Sequence, residues 1–322
     1  MKKIISPEPD KVAVVEVPMP EMGPGDLLIK TVRSLISPGS ELNRVRRLPI
    51  DPPNKWPNHD LGYAVAGTVA DVGGEVSGWQ VGDRVVTMQH HQEFVVTPAE
   101  GDPIRKPIHI PDGMDWDTAP FILWSRSCYN WTMRGDIGPG DVVAIMGLGL
   151  VGLLMTMWAR LRGPEQVMAL DLDESRLELA RRAGADGLVN CSDHDPVEKM
   201  KELTGGRLAN CTFHCAAGPH VEAFETSQRI TAGGGRVVLI GHHSEPLKIL
   251  TREFLGKDLL GAGVGYDTDP RLQDLGARLL ASGRLPVGEI VTHNVPYTMA
   301  PEIYDMLNFR SREAGAVLLR WD

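Results

Sequence analysis

The sequence is poor in cysteine. Its four thiols, Cys128, Cys191, Cys211 and Cys215, include no C-x-x-C pair and no even ladder of spacings. That excludes a disulfide framework and a zinc ribbon, and reduced, mostly buried thiols are expected. Nor is a secretory leader expected. The first residues, MKKIISPEPDK, carry two lysines with no apolar run behind them, so a cytoplasmic location is expected. There is no surplus of positive charge: the formal net charge is -9, which argues against nucleic acid or an anionic membrane surface as partner. Arg44, Arg46 and Arg47 do cluster, and read as a solvated patch. No repeat and no low-complexity tract interrupts the chain. One weakly charged stretch, Val142 to Ala159, approaches the length of a membrane span. Three glycines inside it and a charged, amphipathic continuation after Asp171 argue against that reading.

What is present is organised around residues Asp141 to Asp171. Val142 to Met146 is a short β-branched and apolar run. Gly147, Gly149 and Gly152 then fill the pattern G-x-G-x-x-G, and Leu153 to Leu161 is free of Gly and Pro. Strand, tight turn and helix in that order form a pyrophosphate cradle. Gly147 takes the turn, Gly149 admits backbone N–H groups to the phosphates, and Gly152 lets the helix pack on the strand. The anion sits where unpaired N–H groups and the helix dipole favour it. A second strand, Gln166 to Leu170, ends in Asp171, about 20 residues beyond the glycines, where a carboxylate accepts ribose hydroxyls. A 2′-phosphate would be repelled there, so NAD is expected rather than NADP. Arg176 either softens that preference or is a solvated arginine at a helix start.

Length predicts about two domains. Residues 1 to about 120 hold short alternating segments, Val12 to Val17, Leu27 to Val32, Gly67 to Val72 and Phe94 to Thr97, punctuated by Pro-Gly, Gly-Gly and Gly-Asp pairs. That texture is β-rich. From about Asp117, buried strands at Val142–Met146, Val167–Leu170, Gly187–Asn190, Cys211–Cys215, Arg236–Ile240 and Leu259–Val264 alternate with helices. Those helices include Glu174–Ala183, Pro196–Thr204 and His220–Arg229. Such alternation specifies an α/β fold with a parallel sheet covered on both faces. A tail of helix 270–282, strand 289–295, helix 300–310 and strand 316–319 is expected to return to the first domain.

With these motifs the chain resembles the medium-chain dehydrogenase/reductase superfamily over nearly its whole length. GPGDLLIKTVRSLISPGSEL, GYAVAGTVADVGGEVSGWQVGDRV, the GLGLVG loop, the acidic strand end and GGGRVVLIG carry the resemblance. It implies a GroES-like β-rich catalytic domain at residues 1–121, completed by 265–322, and a doubly wound Rossmann NAD-binding domain at 122–264. It also implies a small-molecule site in the cleft between them. The cofactor set is then Gly147, Leu148, Gly149, Leu150, Val151, Gly152, Asp171, Leu172, Arg176, Ala216 and Gly241. Relatives often pair through the Rossmann sheet edge, here Leu259 to Val264, which implies a homodimer or homotetramer.

Departures from the family pattern bear on the chemistry. Where zinc members place a histidine in G-H-E-x-x-G, this chain has Tyr63. Where they place the first cysteine ligand, it has Ser37 or Pro38, and the third ligand maps near Leu123. Serine, tyrosine and leucine cannot hold zinc, and the cysteine-rich lobe of some relatives is missing, so neither catalytic nor structural zinc is expected. His59-Asp60 looks like the His-Glu pair but lies four residues too early, on a loop.

Hydride transfer without a Lewis acid still needs a proton carrier at the substrate oxygen. Ser40 aligns with the family's proton-relaying Ser/Thr, and alternatively caps a helix beginning near Leu42. Tyr63 either holds the substrate oxygen or fills the lost metal's space beside Ser37. His90 and His91 are candidates for an acid/base titrating near neutrality, for substrate contacts, or for plain loop residues. Ser37, Gln89 and Trp124 are candidate substrate contacts, with Arg126 and Tyr129 close to Trp124 in sequence. Cys215 reads as a buried sheet residue.

The expected activity is zinc-independent, NAD-linked oxidoreduction of a sugar, cyclitol or polyol hydroxyl. The alternatives are an NAD(P)H-dependent quinone or enone reductase, a redox-neutral elimination or epimerisation assisted by NAD, and a cofactor-bearing protein without turnover.

Overall fold

The structure is a computed structural model describing residues 1–46, 54–100, 106–218, 221–243, 245–262, 270–309, 312 and 314–322. Contacts divide the chain into two compact units. One comprises Met1–Arg126, Thr268–Gly283 and Val291–Asp322, the other Ser127–Asp267 and Arg284–Ile290.

The chain opens with β1 (Lys2–Ile5), β2 (Ala13–Glu16), β3 (Asp26–Leu35), α1 (Pro38–Val45), β4 (Ala64–Val72), β5 (Arg84–Thr87), β6 (Phe94–Pro98) and β7 (Ile108–His109). In β3 the period-2 pattern buries Leu27, Ile29 and Thr31 and exposes Lys30. The inward side chains meet Val65, Val69, Val85 and Val95 in one apolar core.

After α2 (Ile122–Gly135) come β8 (Val142–Met146), α3 (Leu150–Leu161), β9 (Gln166–Asp171), α4 (Glu174–Arg182), β10 (Gly187–Asn190), α5 (Pro196–Leu203), β11 (Ala209–His214), α6 (Glu222–Ile230), β12 (Thr231–Leu239), α7 (Thr251–Phe254) and β13 (Asp258–Gly261). The six strands form one parallel sheet in the order β10-β9-β8-β11-β12-β13. Every residue of β8 is buried, as befits a strand covered on both faces. Strand order reverses at β8, and the crevice outside the carboxyl ends there is where such sheets take ligands. The weakly charged run Val142 to Ala159 is thus a strand, a loop and part of a 12-residue helix. Among the described residues no helix is long and apolar enough to cross a membrane.

The tail consists of α8 (Pro270–Ala281), β14 (Val291–Pro296), α9 (Ala300–Phe309) and β15 (Ala316–Arg320). It completes the first unit's sheet, whose order is β14-β15-β3-β4-β5-β7 with β6 also paired to β3. α9 and β15 supply Tyr304, Leu307, Val317 and Leu319 to a second core with Ile4, Ile36, Leu42 and Leu61.

Boundaries shift in places. β12 begins at Thr231 rather than Arg236, because Ala209 pairs with Thr231 across an irregularity in the ladder. The strand expected from Glu289 starts at Val291, after a 3-10 turn at Val287–Ile290 that follows Pro286. Arg47, His220, Val264, Arg310 and their expected elements' ends lie outside the described residues.

Candidate active site

Gly147 has φ of 88°, a left-handed value, and its N–H donates to the Leu170 carbonyl at 2.9 Å. A Cβ at Gly152 would collide with the Gly147 carbonyl, so helix and loop touch backbone to backbone. Gly149 is the N-cap of α3 with no side-chain cap, and a Cβ on it would meet nothing within 4 Å. Open space therefore lies over an uncapped helix N-terminus, as a pyrophosphate requires.

Asp171 closes the site at the end of β9. Its Oδ2 accepts Leu148 N–H at 2.7 Å, and its Oδ1 accepts Leu172 N–H at 2.8 Å and Asp173 N–H at 3.1 Å. Arg176 lies with Nη1 3.9 Å from Asp171, so it is an ion-pair partner and not the solvated arginine of the sequence reading. Leu172 is exposed. Ala216 N–H donates to Met146 O at 2.9 Å and Gly241 N–H to His214 O at 2.9 Å, which sets both loops at the carboxyl edge. These residues fit a dinucleotide.

In the first unit, α1 begins at Pro38, four residues before the expected start, because proline suits the first helical position. Ser37 is the N-cap but makes no side-chain cap. Instead the Glu41 carboxylate reaches back and accepts Ser37 N–H at 2.6 Å. The capping role considered for Ser40 is therefore corrected: Ser40 lies inside the first turn and is exposed.

Glu41 is 1% exposed, and sequence reasoning passed over it. Its Oε2 also accepts the Tyr304 hydroxyl and faces His91 Nε2 at 3.1 Å. His91 Nδ1 lies 2.8 Å from Ser34 Oγ, which accepts Trp321 Nε1–H at 2.9 Å. Burial pushes the Glu41 carboxyl up, but His91, Tyr304 and the Ser37 amide outweigh it and hold it below its ordinary value. The available signal was its spacing: Glu41, Leu42 and Val45 share the buried stripe of α1.

His91 as a substrate-facing acid/base is corrected as well. It is 0% exposed, with both ring nitrogens engaged. His90 does not titrate near neutrality, since burial pushes its pKa down to about 4. Its Nε2 lies 3.5 Å from Asp60, and its Nδ1 is buried without a hydrogen-bond partner. Gln89 is half-buried and donates one amide N–H to Val96 O at 2.9 Å, which ties it to β6.

Tyr63 is half-buried, with its ring centroid 5.0 Å from that of Trp124. Trp124 is buried, and its Nε1–H has no hydrogen-bond partner. His91 N–H donates to Leu61 O at 2.8 Å, which brings the His90–His91 backbone against Gly62 beside Tyr63. Asp60 offers its carbonyl to the Arg44 guanidinium.

The positions that the family resemblance assigns to zinc hold two hydroxyls and an alkyl group. Ser37 and Leu123 are both buried, and the Tyr63 ring packs tilted against Trp124. Such donors do not fit zinc, which takes thiolate, imidazole or carboxylate. Among the described residues no group of three or more His, Cys, Asp or Glu side chains could hold a metal ion. Burial pushes the thiols of Cys128, Cys211 and Cys215 well up, which keeps them protonated.

Residues 23–102 match the family model for the alcohol dehydrogenase GroES-like domain, and residues 151–278 that for zinc-binding dehydrogenases. The chain belongs to the medium-chain dehydrogenase/reductase superfamily. It is 26% identical to an L-threonine 3-dehydrogenase of Symbiobacterium thermophilum, over 94% of this chain and 93% of that one. It is equally 26% identical to a sorbitol dehydrogenase of Bacillus subtilis, over 91% and 89%. Among solved structures, an alcohol dehydrogenase from Thermus sp. ATN1 superposes with a TM-score of 0.84 at 24% identity, covering 99% of both chains. Galactitol-1-phosphate dehydrogenase from Escherichia coli superposes at 0.83 with 19% identity, covering 99% and 100%. The chain is therefore a dehydrogenase of this superfamily, built from a GroES-like and a Rossmann-type fold.

Proposed function

We propose that this chain is a zinc-independent, NAD-linked oxidoreductase acting on a secondary hydroxyl of a sugar, cyclitol or polyol. The observation that carries the reading is the donor set of Ser37, Tyr63 and Leu123 where relatives hold their metal. The carboxylate of Asp171 at the ribose end supports NAD over NADP. The similarity to relatives named for sorbitol, threonine and alcohol supports a hydroxyl-bearing substrate.

Bound NAD supplies the hydride acceptor, C4 of its nicotinamide. The glycine-loop amides and Asp171 hold and orient the coenzyme. Exposed Ser40 relays the proton released from the alcohol, and the Tyr63 hydroxyl holds the substrate oxygen. His90, neutral at physiological pH, offers a hydrogen bond to a second hydroxyl rather than a titrating base. The unit of Met1–Arg126, Thr268–Gly283 and Val291–Asp322 carries the substrate side, and that of Ser127–Asp267 and Arg284–Ile290, which takes residues 284–290 out of the expected 265–322 return, carries the coenzyme.

Purified enzyme assayed with NAD plus polyols, and with NADPH plus enones, tests the reading. NAD-dependent oxidation that survives a chelator, with zinc far below one ion per chain, is the expected result. Tyr63→Phe is expected to lower kcat about 100-fold. Stoichiometric zinc, or activity lost on chelation, overturns the zinc-free reading. Turnover confined to NADPH and enones points to a reductase instead.

A further inference from the structure

Two histidines that the chemistry above does not use face each other at the carboxyl edge of the parallel sheet. His214 is the last residue of β11 and is fully buried, and His243 follows β12. Their Nε2 atoms are 2.8 Å apart. His243 Nδ1 lies 3.0 Å from the Gly218 carbonyl, and His214 Nδ1 lies 2.9 Å from Ser227 Oγ on α6.

These contacts determine the protons. A carbonyl only accepts, so His243 carries its proton on Nδ1 and presents a lone pair at Nε2. His214 must then donate from Nε2, and its Nδ1 lone pair shares the Ser227 hydroxyl proton with the Ala223 carbonyl, 3.0 Å from Ser227 Oγ. Burial pushes His214 down to about 3, which keeps it neutral and the directions of donation fixed.

The loops joined this way are Ala216–Gly218 and Gly241–His243. Gly218 N–H also donates to His242 O at 2.9 Å, and Gly218 bridges His243 in parallel, so pairing continues beyond the ends of β11 and β12. Ala216 is wedged between the glycine loop and Gly241. A Cβ on Gly147 would clash with its backbone, and a Cβ on Gly241 would collide with its carbonyl. The spacing of the two loops therefore fixes the floor of the coenzyme site. Asp171 marks the adenosine side, over β9. β11 and β12 lie on the other side of β8, beneath the coenzyme's other half.

We propose that the His214–His243 pair is a latch holding these loops beneath the nicotinamide half of the coenzyme, which makes His243 a positioning residue for NAD(H). The inference rests on the coenzyme reading above.

Calorimetric titration of the full-length protein with NADH and, separately, with ADP-ribose tests it in the wild type, His243→Leu and His243→Gln. Leucine removes both hydrogen bonds, whereas glutamine restores an acceptor where Nε2 stood. The latch predicts NADH affinity about tenfold weaker in His243→Leu, ADP-ribose affinity unchanged, and most of the loss recovered in His243→Gln. Equal NADH affinity in wild type and His243→Leu overturns it. So does a parallel loss of NADH and ADP-ribose, or failure of His243→Gln to recover, because each marks a role in general packing. A wild type that binds neither ligand is a separate result: it removes the coenzyme reading, and the latch with it.

Discussion

Glu41 is a buried carboxylate whose oxygens receive N–H and O–H groups from Ser37 and Tyr304 and face His91. Removing one donor leaves the anion undersatisfied in a dry environment. Tyr304→Phe is therefore expected to cost about 1.5–3 kcal/mol, measured by urea unfolding. Because the folded carboxyl lies below its ordinary value of 4.5, the unfolded chain takes up protons first as pH falls. That stabilisation is present above pH 4.5 and disappears in more acid solution. Glu41→Gln should lower stability at neutral pH and flatten the acid limb, and an unchanged acid limb would refute this assignment. None of this was legible from residue types alone. His91 sits in a Gln-His-His run that reads as a pocket loop, and only its backbone hydrogen bond to Leu61 and its side-chain contacts show that it is sealed.

At the scale of elements, the glycine loop was the most legible feature, since its constraints are local. Strand, left-handed turn and close helix contact follow from residues adjacent in sequence. Gly152→Ala tests the close contact, because the added Cβ would meet the Gly147 carbonyl. Loss of NADH binding with α3 displaced is expected, read by calorimetry and by faster hydrogen exchange at Leu150–Leu154. Retained affinity would mean that the loop can shift freely. The start of α1 was less legible. Ser40 looks like a cap before an apolar run, but Pro38 begins the helix and the return reach of Glu41 replaces a hydroxyl cap. That exchange depends on Tyr304 and His91, which are far away in sequence.

For the whole chain, the first unit is assembled from both ends. β15 lies between β14 and β3, with Leu318 opposite Leu35, and Trp321 donates to Ser34. Leu319→Ala, at a fully buried position, is expected to cost about 2–5 kcal/mol. Faster amide exchange in β3, β14 and β15, with β8 unchanged, is the expected signature. The α/β class was readable from alternating strands and helices, whereas the strand order of the mixed sheet was not, because nothing local to residues 316–320 names β3 as their neighbour. The interposed last strand has a consequence for synthesis on the ribosome. The parallel sheet has β8 to β13 once Gly261 has emerged, but the first unit keeps an open edge until residues 316–320 are made. The β3 margin at Arg33–Leu35, beyond the part that β6 pairs, then waits while residues 36–315 are made, exposed to wrong partners, for the segment that finally covers it.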